Sequence, residues 1–187
     1  MRAVHVRQNL EGVCDLGEDV DARVRAGLGE AQVAEIETAP RSKWLPIEVD
    51  VELSRLVHAH AGHQAFVDWS RAAMVASAET PLLSGFVRAG LRLFGGNPGS
   101  LIRLARRGYE QIFRDAGALS VEPRREDSVR VVGVDLPAQI VDEPLYLEGI
   151  GESIAALPLL VGFEGFSQLC VRGTDVAWTI TWRSGTG

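Results

Sequence analysis

The sequence predicts an α+β fold in which helices pack on a small antiparallel sheet, with the C-terminal part running hairpin, helix, hairpin. Two observations carry this. Through the first two thirds of the 187 residues, apolar positions recur at steps of three and four. After Gly117 the pattern changes to β-branched runs joined by polar turns, interrupted by one further helical stripe. Composition agrees: 46% hydrophobic and 24% charged residues are globular averages, so one domain over residues 1–187 with its own core is expected.

Each element has a local reason. Residues 18–37 are good helix formers broken at Gly27-Leu28-Gly29, which predicts two short helices. Pro46 sits where a first helical turn has no need of its missing N–H, and Val49, Leu53, Leu56 and Val57 follow at helical spacing up to a stop at Gly62. A helix from about His63 to Ser77 is expected to bury Phe66, Val67, Ala73 and Met74, with Trp69 and Ser70 flanking that face. Thr80-Pro81 reads as an N-cap and first helical proline, Gly95-Gly96 ends what begins there, and Asn97-Pro98 repeats the signal.

The helix opened by Asn97-Pro98 is expected to run to Gly117. It places Ile102, Ala105, Tyr109, Ile112, Phe113 and Ala116 on one face and Arg103, Arg107, Glu110 and Arg114 on the other. Two strands then meet at a polar turn near Arg124 to Asp127, with Val129, Val131 and Val132 or Val134 as their β-branched residues. Asp142-Glu143-Pro144 opens a helix whose Leu147, Ile150, Ile154, Leu157 and Val161 form a core-facing stripe. The last two strand-like runs turn about Gly173-Thr174-Asp175, with Trp178, Ile180 and Trp182 alternating along the second.

Several function classes are disfavoured. A net charge of -6 argues against a general nucleic-acid binder, although residues 88 to 130 are locally basic. No apolar run approaches the roughly 20 residues that span a bilayer, and "MRAVHVRQNLEG" lacks the apolar region of a secretory signal, so a cytoplasmic location without a membrane span is expected. Cys14 and Cys170 read as reduced thiols, Cys170 as a small buried side chain of an apolar strand rather than a catalytic thiolate.

"HAHAGH" holds His58, His60 and His63, but successive helical residues turn by about 100°, so no zinc spacing results and the ordinary reading is a helix terminus. "GIGES" lacks a phosphate loop's ending, and Gly149, Ser153 and Ala156 read as small residues that let another element approach closely. Trp44, Trp69, Trp178 and Trp182 are expected in or at the edge of the core. No nucleophile elbow or metal constellation occurs, so no catalytic residue, metal or cofactor is expected.

A wider pattern is present: Trp44-x-Pro46 opening a helix, "LARRGYEQIFRDAGALSVE" leading into a strand, Asp135-Leu136-Pro137 at a strand end, "LEGIGESIAALPLLVG", and Cys170, Gly173 and Trp182 in a terminal strand pair. Over most of the chain this resembles a myxobacterial paralogous family of uncharacterised proteins. That family is similar to the superfamily containing the four-vinyl-reductase-like ligand-binding domain, the haem nitric-oxide-binding domain and the TRAPP subunits. The resemblance implies an α+β fold, dimerisation through helices, and a role as small-molecule sensor or scaffold. The haem-binding branch is expected to carry Tyr-x-Ser-x-Arg, which does not occur here. The four-vinyl-reductase-like branch carries paired cysteines in its last hairpin, whereas Cys170 stands alone with Ala177 near the second position.

The stripe of Arg103, Arg106, Arg107 and Arg114 is the leading candidate for partner binding, because guanidinium forks suit an acidic or phosphorylated partner or an acidic second copy of the chain. The expectation is therefore a non-enzymatic scaffolding or regulatory module that binds a protein partner as a homodimer. The alternative is a sensor for a small apolar ligand.

Overall fold

In the computed structural model, which describes residues 1–80, 84, 85, 88, 89, 92 and 96–185, a helical N-terminal half packs against a helix-backed sheet. Helix α1 (Ala3–Glu11) leads through a short 3-10 turn (Gly12–Leu16) into α2 (Glu18–Leu28) and α3 (Glu30–Thr38), which part at Gly29 as the glycine-rich interruption predicted. Helix α4 (Ile47–Ala61) starts directly after Pro46 and stops at Gly62, whose φ of 87° suits only glycine, and α5 (His63–Glu79) begins at once beyond it. The helix expected between Thr80-Pro81 and Gly95-Gly96 lies largely outside the described residues. Helix α6 (Pro98–Ile112) is capped by Asn97, whose side chain accepts from the Ser100 amide at 3.2 Å.

Strands β1 (Ala118–Arg125) and β2 (Ser128–Val134) form one hairpin and β3 (Phe163–Arg172) and β4 (Asp175–Ser184) the other. Between them lie the single turn α7 (Ala138–Val141) and helix α8 (Pro144–Ala155). The sheet runs β1-β2-β4-β3, antiparallel throughout, so the hairpins join through β2 and β4, with Val129 opposite Ile180 and Val131 opposite Trp178. All four of these side chains are buried. The expected α+β architecture is the one observed.

Small residues set the spacing of the layers, as the glycines of "GIGES" suggested. A side chain on Gly151 would collide with the Trp178 ring, and one on Gly149 would lie 2.9 Å from Phe66 of α5. In β3, a side chain on Gly165 would run into the Ala155 carbonyl at the end of α8. Trp178 is fully buried and donates from Nε1 to Leu147 O at 2.8 Å, while Arg71 of α5 reaches both Glu152 at 2.9 Å and Gly165 O at 3.0 Å. Helices α5 and α8 and strand β3 are thereby tied at one corner.

Four expectations are corrected. Helix α6 ends at Ile112 rather than Gly117, because Phe113 turns extended, stacks on Tyr109 at 4.2 Å, and lets the Tyr109 hydroxyl donate to Ala116 O at 2.8 Å. Trp69 and Ser70 are not flanking but central to the buried face of α5, at 5% and 4% exposure. Cys170 is exposed, because β3 is an edge strand and position 170 falls on the sheet face that α8 does not cover; Cys14 is exposed too and both thiols are free. The 18 helical residues Pro144–Val161 reach a mean hydropathy of 1.3, long and apolar enough to cross a membrane, and half of that stretch is buried under the sheet and α5. Trp44 is half-buried at the edge of the core, as expected, with the Arg2 guanidinium 4.3 Å over its ring and Arg114 5.9 Å away.

At Gly165 a new methyl meets backbone, not a movable side chain. Gly165→Ala should therefore lower the urea-unfolding free energy by roughly 1–3 kcal/mol, whereas Gly12→Ala, whose methyl would rest 3.6 Å from Trp69, should leave it nearly unchanged.

Candidate functional site: a cavity between two cores

Helices α1 and α4 each carry a polar column beside an apolar one. On α1, Val6 and Leu10 are buried in the core and His5 and Asn9, four apart, share the adjoining side; on α4, Leu53 and Val57 are buried and Asp50 and Ser54 do the same. These columns line a cavity of about 110 Å³ where the N-terminal helical core meets the core between α8 and the sheet. Most of its remaining wall is apolar, from Leu101, Leu104 and Ile112 of α6 and Ile150 and Ile154 of α8.

The polar end is organised by Asp50, only 3% exposed. Its carboxylate accepts from Asn9 Nδ2 at 2.9 Å and from the Tyr146 hydroxyl at 2.8 Å. Trp69 Nε1 holds the Asn9 backbone carbonyl at 3.1 Å. A carboxylate only accepts, so the Asn9 amide must turn its nitrogen towards Asp50, which leaves Oδ1 as the outward acceptor. That oxygen is buried and meets no donor among the described residues. Buried polar atoms are almost always paired, so this one marks a place where a donor belongs.

The titrating groups around it are tuned by removal from water. Burial holds the His5 imidazole below its ordinary range, against the opposing pull of Asp50, and its Nδ1 lies 3.3 Å from Ser77 Oγ. Burial, and then the neighbouring Asp50 carboxylate, push the Tyr146 phenol well above its usual value, and burial does the same to Tyr109. At neutral pH the cavity therefore presents a neutral imidazole, two protonated phenols and an unmatched amide oxygen.

The residues singled out from sequence lie elsewhere. Arg103, Arg106, Arg107 and Arg114 are all exposed on α6 or just after it, facing away from the cavity that the same helix lines. Arg106 contacts Glu110 at 3.3 Å and Arg114 contacts Asp115 at 3.5 Å, surface pairs of small energetic weight. In the histidine cluster, the chain reversal at Gly62 brings the His58 and His63 rings to 5.9 Å edge to face, and His63 Nε2 lies 3.5 Å from Glu148. A shallow groove against β3 is lined by this pair, Glu152, Ser167 and Leu169. Among the described residues, no group of three or more metal-ligating side chains is assembled.

His5, Asn9, Asp50 and Tyr146 escaped sequence reading, yet a signal existed: polar residues four apart beside an apolar column, on two helices. What sequence lacks is the pairing that brings Asn9 to Asp50 across 41 residues and Tyr146 to Asp50 across 96.

Against solved structures, the Fe(II) unliganded H-NOX protein of K. algicida aligns with a TM-score of 0.65 and 11% identity, covering 100% of this chain and 99% of its own. The chain has the H-NOX fold. An oxygen-binding H-NOX domain related to soluble guanylate cyclases gives 0.61 at 12% identity over 100% and 97% of the two chains. A single-residue variant of the T. tengcongensis H-NOX gives 0.60 at 12% over the full length of both. No protein-family model and no curated protein matches the chain by sequence.

Haem is named for the H-NOX family, and the residues here do not fit it. An apolar cavity of about 150 Å³ takes a molecule the size of benzene, so 110 Å³ is far too small for a porphyrin. The described lining contains no arginine or lysine to pair with two propionates, and it adds the carboxylate of Asp50.

A buried neutral histidine makes stability pH-dependent. Because folding lowers the His5 pKa, its contribution is full above the unfolded value of about 6.5 and is lost as the pH falls through the folded one. Unfolding free energy should therefore decline from pH 7 to pH 5, and His5→Gln should flatten that decline, as read by urea titrations at each pH.

Proposed function

We propose that this chain is a non-enzymatic, cytoplasmic sensing domain that binds a small, largely apolar molecule in the cavity between its two cores. The observation that carries this reading is the buried, unmatched Asn9 Oδ1 at the polar end of a largely apolar cavity. The H-NOX fold supports it, since solved structures with that fold include an oxygen-binding domain. The narrower resemblance to a myxobacterial paralogous family is compatible with this reading. Native mass spectrometry of the purified chain should detect a co-purified or added small molecule. Ala105 of α6 is half-buried and lines the cavity, so Ala105→Leu should fill it and weaken binding at least about tenfold while keeping the fold. Unaltered binding in this variant would place the ligand elsewhere.

Scaffolding, the reading that leads on sequence alone, becomes the output side of the same device. One observation favours this: α6 lines the cavity with Leu101, Leu104 and Ala105 and carries Arg103, Arg106 and Arg107 on its exposed side. A helix displaced by ligand on one side moves its arginines on the other. An acidic partner, or an acidic second copy in a homodimer, is the proposed reader. Charge reversal in Arg103→Glu/Arg107→Glu should weaken self-association or partner binding several-fold, measured by analytical ultracentrifugation or co-purification, and leave small-molecule binding intact.

A further inference from the structure

We infer that the ligand of the internal cavity is an uncharged molecule of about five non-hydrogen atoms that carries a single N–H or O–H donor on an apolar body, its donor directed to Asn9 Oδ1. The inference rests on the reading of the cavity as a ligand site and goes beyond it by naming the ligand's chemistry.

Three observations converge on that chemistry. The first is size: about 150 Å³ accommodates the six carbons of benzene, so 110 Å³ admits a slightly smaller body. The second is polarity. One N–H of the Asn9 amide is held by Asp50, which fixes the orientation of the side chain, and a ligand that satisfies its unmatched Oδ1 must bring a donor. An acceptor-only ligand would leave Asn9 Oδ1 unmet, a penalty that a ligand carrying a donor removes.

The third is charge. Asp50 invites a cation, but both of its oxygens already accept, from Asn9 and from Tyr146. A cation entering between apolar walls would lose its hydration and would have to share oxygens that Asn9 and Tyr146 already hold. An anion would lie beside Asp50 and face His5, which burial keeps neutral. The neutral donor is what remains.

Pyrrole and furan separate these possibilities on the wild-type chain, since both are five-membered rings of nearly equal shape and only pyrrole has a donor. In titrations followed by amide NMR shifts, pyrrole should bind roughly tenfold more tightly than furan, the worth of one net hydrogen bond. It should also bind more tightly than pyrrolidine, which is an ammonium ion at neutral pH. Both rings should lose binding in Ala105→Leu. Asn9→Ala should bring the pyrrole to furan ratio close to one; if that variant does not fold, the wild-type ratio decides alone. Equal binding of pyrrole and furan, tighter binding of furan or pyrrolidine, or a ratio that persists in Asn9→Ala would overturn the donor assignment while leaving a ligand cavity in place. Failure of all three probes to bind would instead overturn the cavity as a ligand site.

Discussion

The structure turns on one buried carboxylate. Asp50 lies on α4, inside a protein whose other interior side chains are overwhelmingly apolar, and such a group is tolerated only when its oxygens are paired. Its partners come from α1 and α8, so a single charge decides how the N-terminal helices dock on the C-terminal helix that carries the sheet. Losing either hydrogen bond would strand an acceptor at about 1–3 kcal/mol.

The same bonds create the opening. Two polar columns aimed at each other leave no room for interdigitating apolar side chains between them, so the two cores close around a cavity. Asp50 takes one N–H of Asn9 and accepts on each of its own oxygens, and the buried side-chain atom left without a partner among the described residues is one amide oxygen. Rigidity elsewhere keeps this geometry in place. Arg71 clamps α5, α8 and β3, and the Arg2 amide donates to Ile112 O at 2.8 Å while its guanidinium covers Trp44, tying the start of the chain to the end of α6.

Sharing the H-NOX fold does not carry haem with it, because function resides in the residues grafted on a fold. The interior here is narrower, more polar at one end and more negative than a porphyrin requires.

Much of the architecture was legible in the sequence because it depends on local chemistry. The breaks at Gly29 and Gly62, the cap at Asn97, the alternation through Val129, Val131, Trp178 and Ile180, and the stripe on α8 follow from backbone preference and periodicity within a few residues of each position. The arginine stripe was equally visible, being a property of one helix surface. Errors arose where long-range packing overrides a local rule. The early end of α6 is set by the Tyr109 to Ala116 bond, and the exposure of Cys170 by the place of β3 at the sheet edge. By itself the sequence determined the order of the described elements and the stops that depend on glycine, proline and capping residues. Only the tertiary structure decided that Asn9, Asp50 and Tyr146 meet, since hydrogen bonds between residues 41 and 96 positions apart have no signature in any window of sequence.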